Sequence, residues 1–432
     1  MGRLWPPFND EAELARDSLD DYIGLPQSSA ACEGHSVVAM SHPVGLAVSC
    51  GVCKGGRFVP DTHHACSSLP ECQLENAMRI PKLMSAFIVL PLLVIAMSGC
   101  RLDGDTETFL QDSVSLADSY MTHRNWGVLP DGREWGRVSG IYIDPNGRDI
   151  WVHERCGGDN CIDSKDPPVM RFNTEGNLLA SFGAEMFVRP HGLYVDDEGN
   201  VWATDGRTAS PAELERAPGA AQKGNQVIKF SPTGEVLMVL GTPGRTGRPP
   251  DALDQPNDVI IAPNGEILVS EGHSYQGPTA RISRFRADGT FLDSFGEFGS
   301  GPGQFSIPHA MAFDSENRLF VVDRGNNRIQ IFTEDYEHIG SWHQFGRPND
   351  IFIGEDDTIY AIDSESGDER NPGFLRGIYI GDATDGSIKG FVPAHETDGP
   401  HGTIGEGVIV DASGNIFVGE VSLSGMTMFM PM

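Results

Sequence analysis

Short apolar runs joined by glycine-centred turns dominate the chain from residue 138 onward. Residues 190–205 are a representative stretch, in which an apolar segment, the turn Glu198-Gly199-Asn200 and a second apolar segment follow one another. Two apolar runs joined by such a turn are typical of a β-hairpin. Each stretch of this kind is therefore predicted to form one pair of antiparallel strands.

This hairpin recurs six times at a fixed internal register. In five copies a polar anchor residue lies 14 positions before a closing acid, and in the first copy the interval is 15. Successive anchors are 52, 66, 52, 40 and 57 residues apart, which suits propeller blades of roughly 40–50 residues with loop insertions. The anchor residues are Ser139, His191, Asn257, His309, Asn349 and Glu406, and the closing acids are Glu154, Asp205, Glu271, Asp323, Asp363 and Glu420.

A second hairpin follows each of these cores, as in residues 226–240 around the turn Pro232-Thr233-Gly234. Each unit then holds four antiparallel strands, so residues 136–432 are predicted to form an all-β, six-bladed β-propeller. The sixth unit ends near residues 426–429 without a fourth strand. We predict that the segment 101–135, otherwise a linker, supplies that strand and closes the ring.

The composition agrees with an all-β domain and excludes one class of partner. The chain has 52 glycines and 29 prolines, and its 39% hydrophobic content allows a packed core. It carries 61 acidic and 31 basic residues, a net charge of −30. Because this charge repels phosphate backbones, no nucleic-acid partner is expected. Such acidity suits an extracellular or saline setting.

The first hundred residues divide into two parts. Residues 1–77 hold five of the eight cysteines at irregular spacing, and the pair Cys50 and Cys53 allows a zinc knuckle as an alternative. We predict that residues 1–77 are disordered or precede the true start. Residues 78–100 then resemble a bacterial lipoprotein signal, with an apolar run and small residues before Cys100.

Three expectations follow from that signal. The chain is exported to the cell envelope, lies outside the cytoplasm, and is attached to the membrane by a lipid on Cys100; an uncleaved anchor is the alternative. In an oxidising compartment, Cys156 and Cys161 in the loop of the first blade are predicted to form a disulfide rather than two free thiols.

The anchor residues point to a metal site. The innermost strand of each blade lines the central channel, and alternate blades of six are 120° apart. His191, His309 and Glu406 belong to alternate blades, so their side chains could converge on one point. Two imidazoles and a carboxylate are a common ligand set for Zn²⁺, and they also suit Fe²⁺. The alternative is that the anchors only hold ordered water.

Several residues beyond the closing acids lie where a ligand would enter. Arg155 and Arg324 follow the acids of the first and fourth blades, and each could hold a carboxylate or form a surface salt bridge. His273 and Tyr275 follow Glu271 on the same rim, and either could act as a general base. The closing acids themselves are predicted to accept hydrogen bonds from turn amides.

Residues 126–429 resemble the peptidyl-α-hydroxyglycine α-amidating lyase family, a six-bladed propeller of the NHL-repeat type. The motifs that carry the resemblance are Val138-Ser139-Gly140, Pro190-His191-Gly192-Leu193, residues 303–309 and residues 323–330. The family cleaves the carbon–nitrogen bond of a peptide ending in α-hydroxyglycine, which gives a peptide amide and glyoxylate. The resemblance therefore implies a carbon–nitrogen lyase of the amidine-lyase type that acts on a small peptide or small molecule.

The resemblance also implies roles for individual residues. The family holds zinc with three histidines from alternate blades; His191 and His309 match two of them, and Glu406 stands at the third. Arg155 and Arg324 match the substrate-binding arginines, and His273 stands at the tyrosine base, with Tyr275 two residues on. A structural Ca²⁺ would use the carbonyls of Val138 and Leu193, but Gly407 stands where the family has its aspartate ligand.

Two other functions stay open on the sequence alone. The first is a calcium-dependent lactonase of the gluconolactonase type, because Asn257-Asp258 and Asn349-Asp350 offer oxygen ligands for a hard cation. The second is a non-catalytic NHL-repeat scaffold that binds partners. A zinc-dependent lyase is the leading prediction because two channel positions are histidines.

Overall fold

The computed structural model describes residues 37–42, 45–54, 57–60, 115–275, 277–395 and 402–432. These residues fall into two compact units, Met1–Ser98 and Gly99–Met432. In the first unit β1 (Val37–His42), β2 (Gly45–Lys54) and β3 (Arg57–Pro60) form one antiparallel sheet, in a region where the sequence shows no repeat. The predicted signal segment and Cys100 lie outside the described residues.

The second unit is a six-bladed β-propeller, which confirms the predicted fold. Six antiparallel sheets of four strands each are arranged so that their inner strands pack against one another around a ring, the sixth against the first. The blades are β5–β8 (Val138–Ile143, Ile150–Glu154, Val169–Phe172, Leu178–Phe182), β9–β12 (Pro190–Val195, Val201–Asp205, Gln226–Phe230, Val236–Leu240), β13–β16 (Pro256–Ile261, Ile267–Glu271, Arg281–Phe285, Phe291–Phe295), β17–β20 (Pro308–Phe313, Leu319–Asp323, Arg328–Phe332, His338–Trp342), β21–β24 (Asp350–Ile353, Thr358–Asp363, Gly377–Asp382, Ile388–Pro393) and β25–β27 with β4 (Gly407–Val410, Ile416–Glu420, Gly425–Pro431, Tyr120–Arg124).

The core lies between the faces of neighbouring blades. The second strand is the most deeply buried element, and in five of the six blades every one of its residues is buried. A strand that is covered on both faces reads as a continuous apolar run rather than an alternating one, as the sequence shows here. Large side chains fill the spaces between blades, for example Trp151, Phe230 and Phe320, which are fully buried.

The ring closes as predicted from the segment before Val138. Strand β4 pairs antiparallel with β27, with Thr427 opposite Arg124 and Pro431 opposite Tyr120. The last blade therefore combines the two ends of the propeller domain. Trp126, just after β4, packs its ring against Phe417 of the same blade and is buried.

Two local features complete the fold. The insertion in the second blade, residues 207–223, forms the helix α1 (Pro211–Arg216), which Ser210 caps by accepting a hydrogen bond from the Glu213 amide. Cys156 and Cys161 form the predicted disulfide, with their Cα atoms 5.1 Å apart. Across the residues that the structure describes, none of the helices has the length and apolar character needed to cross a membrane.

Candidate metal centre

The anchor residues reach the mouth of the channel because strand pairing is interrupted at them. In each of the first four blades the ladder between the inner and second strands skips the anchor residue and resumes one residue after it, or two residues after it in the second blade. Such a bulge changes the direction in which a side chain points and is frequent beside functional sites. The six anchors, with the residues that follow them, line one narrow channel of about 50 Å³.

Three histidines meet at this mouth. His191 and His309 are anchors of the second and fourth blades, and His273 lies in the loop after β14 of the third blade, between them. Their ring centroids are 4.9 Å (His191–His309), 5.0 Å (His191–His273) and 5.2 Å (His273–His309) apart. One ring nitrogen from each residue lies within 4.8 Å of the other two. This three-histidine cluster is the candidate metal centre.

Hydrogen bonds fix the tautomers of the two anchor histidines. The Nδ1 atom of His191 lies 2.9 Å from the Asn257 carbonyl, and that of His309 lies 2.7 Å from the Asn349 carbonyl. A carbonyl only accepts, so both Nδ1 atoms carry the proton and both Nε2 atoms carry a lone pair. Each Nε2 atom is buried and has no hydrogen-bond partner among the described residues. Two basic nitrogens are therefore left available at the channel mouth.

The third histidine is oriented by the anchor of its own blade. The Asn257 amide nitrogen donates to the carbonyls of Gly272 and Pro308, both at 2.8 Å, so its Oδ1 atom is the acceptor for His273 Nδ1 at 2.7 Å. The Nε2 atom of His273 then also carries a lone pair, and Arg324 donates to it at 3.1 Å. Asn257 thus holds two of the three imidazoles, because its carbonyl binds His191 and its side chain binds His273.

Burial keeps the three imidazoles neutral. It lowers the pKa of each histidine well below its usual range, and neighbouring basic groups add to the effect: His309 and Arg155 for His191, Arg324 for His273 and for His309. A neutral imidazole is the form that binds a metal ion. The cluster is therefore in its ligating state at neutral pH.

The donor set fits zinc in its chemistry. Imidazole nitrogens bind Zn²⁺ at about 2.0–2.1 Å, which places tetrahedral ligands roughly 3.3 Å apart. The nitrogens of the cluster lie within 4.8 Å of one another, so zinc binding would draw the three rings closer together. The Nδ1–H groups donate to oxygen atoms of Asn257 and Asn349, and metal-ligating histidines usually make such a second hydrogen bond.

The histidine cluster differs from the predicted ligand set at one position. Glu406, the expected third ligand, is not part of the cluster; its carboxylate lies 3.9 Å from Arg324 Nη1. Strand β25 begins one residue later, at Gly407, and the Glu406 amide bonds the Gly419 carbonyl. His273, expected to act as a base, takes the third place instead. The third imidazole therefore comes from a loop of the third blade rather than from the anchor of the sixth.

Both predicted arginines are buried at this mouth and are not surface residues. Arg155 is 2% exposed, donates to the Pro190 carbonyl and pairs with Asp159 at 2.9 Å. Burial lowers the pKa of Arg155 to about 10, so it keeps its charge at neutral pH. Arg324 is 4% exposed, and its Nη1 atom lies 3.9 Å from Glu365 and from Glu406.

A third buried arginine was missed by the sequence reasoning. Arg347 is 3% exposed, donates to the Arg324 carbonyl, pairs with Glu365 at 2.8 Å and contacts the hydroxyl of Tyr275. Tyr275 is half-exposed at the rim, where its hydroxyl contacts Arg347. Burial alone would raise the pKa of Glu365, but its arginine neighbours lower it to about 2. Arg347 and Arg189 each stand two residues before an anchor, with a proline between. This repeated Arg-Pro pair is the sequence pattern that could have identified Arg347 as a site residue.

The closing acids have the structural role predicted for them. They are almost fully buried, and within the described part of the chain all except Glu420 accept hydrogen bonds from backbone amides of nearby loops. In the second blade, Asp205 accepts from the amides of Val188 and Arg189, the two residues before Pro190-His191. Each such acid therefore fixes the loop that leads into its inner strand. The bonds to the other acids are Gly136 to Glu154, Asp254 to Glu271, Ser306 to Asp323 and Arg347 to Asp363.

The oxygen atoms proposed for calcium are largely occupied by protein contacts. The Asn257 side-chain oxygen accepts from His273, and that of Asn349 accepts from the amide and hydroxyl of Ser364. Val138 and Leu193 are buried in β5 and β9 of neighbouring blades. Their carbonyls as calcium ligands stay a prediction, as does an ion at either asparagine.

Two carboxyl groups lie deeper in the channel and predict a pH-dependent stability. Burial raises the pKa of Asp350 to about 7, and burial together with Asp350 raises that of Asp258 well above its usual range. A carboxyl with a raised pKa binds a proton in the fold that the unfolded chain releases near pH 4. The free energy of unfolding therefore falls as the pH rises from about 4 to about 7.

Asp350→Asn removes part of this dependence while keeping the shape of the side chain. Between pH 5 and pH 8 the free energy of unfolding of the wild-type chain should fall by about 2 kcal/mol more than that of the variant. Urea unfolding at both pH values measures the difference. Equal pH dependence in the two chains would show that Asp350 is ionised in the fold throughout this range.

The fold and the three-histidine cluster define a class of protein. It is a six-bladed β-propeller with a candidate metal site at one mouth of its channel. The family model of the NHL repeat matches residues 305–332, which span the start of the fourth blade. The chain therefore contains an NHL repeat, as the sequence predicted.

Particular relatives extend this similarity. NHL repeat-containing protein 3 of Mus musculus is 33% identical over 45% of this chain and 51% of its own length. The probable peptidyl-alpha-hydroxyglycine alpha-amidating lyase of Caenorhabditis elegans is 28% identical over 48% of this chain and 58% of its own. The chain thus spans little more than half the length of these curated relatives. A solved gluconolactonase from Xanthomonas campestris is 16% identical, covering 74% of this chain and 92% of its own, with a TM-score of 0.47.

Proposed function

We propose that this chain is a zinc-dependent lyase that cleaves the carbon–nitrogen bond of an α-hydroxyglycine-type substrate, giving an amide and glyoxylate. The observation that carries the proposal is the pair of buried, unpartnered Nε2 atoms of His191 and His309 beside His273. The worm relative, whose name states this lyase activity, supports the reaction class.

The metal ligands of the proposal are the three histidines of the cluster. His191, His273 and His309 would hold the ion through Nε2, each ring being fixed by its Nδ1–H hydrogen bond. For His273, the ion would replace the hydrogen bond that Arg324 donates to Nε2. When bound, Zn²⁺ supplies Lewis acidity at the point where the three imidazoles meet. Fe²⁺ suits the same nitrogen donors.

The arginines of the rim bind the substrate carboxylate. An α-hydroxyglycine unit carries a carboxylate on the carbon that also bears the hydroxyl and the amide nitrogen. Arg324 contacts His273 directly and Arg155 lies beside Pro190, next to His191, so both cations are at the cluster. A buried guanidinium binds a carboxylate in bidentate fashion and fixes its orientation. This contact places the reacting carbon at the channel mouth.

Glu406 is the side chain to which we assign the transfer of the substrate's hydroxyl proton. Its carboxylate lines the same channel, belongs to the anchor ring and lies beside Arg324, the carboxylate-binding residue of the proposal. Glu406 takes the proton of the substrate hydroxyl, the oxygen forms a carbonyl, and the carbon–nitrogen bond breaks. The amide nitrogen then receives that proton from Glu406, so atoms and charge balance.

Turnover of N-benzoyl-α-hydroxyglycine by the zinc-loaded full-length chain tests the activity. We expect equal molar amounts of benzamide and glyoxylate, lost in His191→Ala with retained fold by circular dichroism. Zinc near one per chain without glyoxylate release above the His191→Ala background would contradict the proposal. Calcium-dependent hydrolysis of gluconolactone would instead support the lactonase alternative, and neither activity would support a scaffold.

A further inference from the structure

The mouth of the channel opposite to the histidines contains a second cavity, of about 550 Å³. Inner strand β9 starts beside His191 and ends at the turn Asp196–Asn200, so its two ends open on opposite faces of the propeller. Tyr194 lies three residues beyond His191, about 10 Å along the strand. The channel between them is narrow, about 50 Å³, and the cavity at the far mouth is about ten times larger.

Aromatic and apolar side chains form the walls of this far cavity. Tyr142 and Tyr194 from the first two blades stand together, with ring centroids 4.7 Å apart and an angle of 55° between them. Phe313 and Phe352 face them from the fourth and fifth blades, and Ile260 belongs to the floor. A cavity of this size, walled by aromatic rings, suits a small organic ligand.

The charge at the rim of the cavity is negative. Asp196, Asp197 and Glu198 form one edge, and Lys229 is the single cationic side chain among the described residues that line the cavity. Lys229 is already held by Asp196 at 3.1 Å and lies over the Trp202 ring at 4.9 Å. That contact is a cation–π pair already built into the cavity wall.

One carboxylate at this edge has no partner. Asp197 is exposed and makes no hydrogen bond or ion pair in the described part of the chain, whereas Asp196 is engaged by Lys229, Asn200 and Trp202. Asp197 also contributes to raising the pKa of Tyr194, after the larger effect of burial, so its charge is close to the tyrosine pair. A negative charge beside two aromatic rings complements a cation with an apolar surface.

We propose that this far cavity binds an organic ammonium cation, with Tyr142 and Tyr194 contacting the cation and Asp197 neutralising its charge. The occupant is a small molecule or side chain that carries a quaternary or alkylated amine, since Lys229, the single cationic side chain among the described residues that line the cavity, is already paired with Asp196. The site is independent of the histidine cluster and of the reaction proposed there.

Titration calorimetry at low salt with choline and its neutral isostere 3,3-dimethylbutan-1-ol tests the site on the full-length chain. We expect choline to bind in the millimolar range and the isostere at least ten-fold more weakly. Tyr194→Leu, which keeps an apolar wall but removes the π face, and Asp197→Asn should each weaken choline binding by about three- to ten-fold. Asp385→Asn is the matched control, because it removes one exposed charge from an outer turn of the fifth blade.

Three results would overturn the proposal: no choline binding up to 100 mM, equal binding of choline and the isostere, or equal affinities in Asp197→Asn and Asp385→Asn. The last result would assign any attraction to the overall net charge of −30 rather than to this cavity. Because Asp197 is exposed, its substitution is compatible with folding, and the wild-type unfolding temperature in each variant verifies this.

Discussion

Replacing His273 with glutamine should release the metal ion, whereas replacing Glu406 with glutamine should leave it bound. Glutamine is close to histidine in length and can still bond Asn257, but it lacks the basic ring nitrogen that joins His191 and His309. Loss of a mere hydrogen-bond partner of a ligand lowers metal affinity by about 10–100-fold, and loss of the ligand itself should cost more. Elemental analysis after dialysis against zinc-buffered solution measures the difference.

The two variants together distinguish the ligand set proposed from the structure from the ligand set expected from the sequence. With His191, His273 and His309 as ligands, Glu406→Gln retains zinc near one per chain and His273→Gln does not. With His191, His309 and Glu406 as ligands, the outcome is reversed. Circular dichroism and thermal unfolding of both variants verify that any loss of metal is not a loss of fold.

Glu406→Gln is also expected to remove catalysis without removing substrate binding. If Glu406 moves the proton, kcat for glyoxylate release should fall by about 10²–10⁴-fold while KM changes little. Arg324 still holds the substrate carboxylate in this variant, so binding is preserved. The comparison is Tyr275→Phe, which removes the hydroxyl that contacts Arg347 and is expected to keep kcat within a few-fold of wild type. A larger loss in Tyr275→Phe than in Glu406→Gln would make Tyr275 the base.

The propeller could be predicted because its repeat leaves a regular signal. A polar anchor and a closing acid recur at nearly constant spacing, and the acid has one structural task in each blade, which is to bind the amides that lead into the inner strand. The closing strand was also predictable, since the sixth unit lacks one strand and the chain has apolar residues before Val138. A repeated constraint on the backbone produces a repeated residue pattern.

The histidine cluster could be predicted only in part, because its third member does not belong to the repeat. His191 and His309 hold matched anchor positions, whereas His273 lies two residues after a closing acid, in a loop. It reaches the cluster through the side chain of Asn257, a contact that spacing along the chain does not encode. The bulges at the anchors are equally invisible in the sequence, although they decide which side chains face the channel mouth.

The burial and the contacts of the arginines could likewise not be predicted from the sequence. Arg155 and Arg324 were placed at the rim from their position after a closing acid, but their burial depends on loops from neighbouring blades. Arg347 joins Arg324, Glu365 and Tyr275, which are distant in the chain and meet only when the third, fourth and fifth blades pack. Contacts between blades are the part of the site that a single sequence does not specify.

X-ray absorption at the zinc edge of the loaded chain tests the central claim most directly, because it reads the atoms bound to the ion. We expect three imidazole nitrogens at about 2.0–2.1 Å and one further oxygen ligand, with one imidazole lost in His273→Gln. A spectrum with two imidazoles and a carboxylate, unchanged in His273→Gln, would contradict the three-histidine centre.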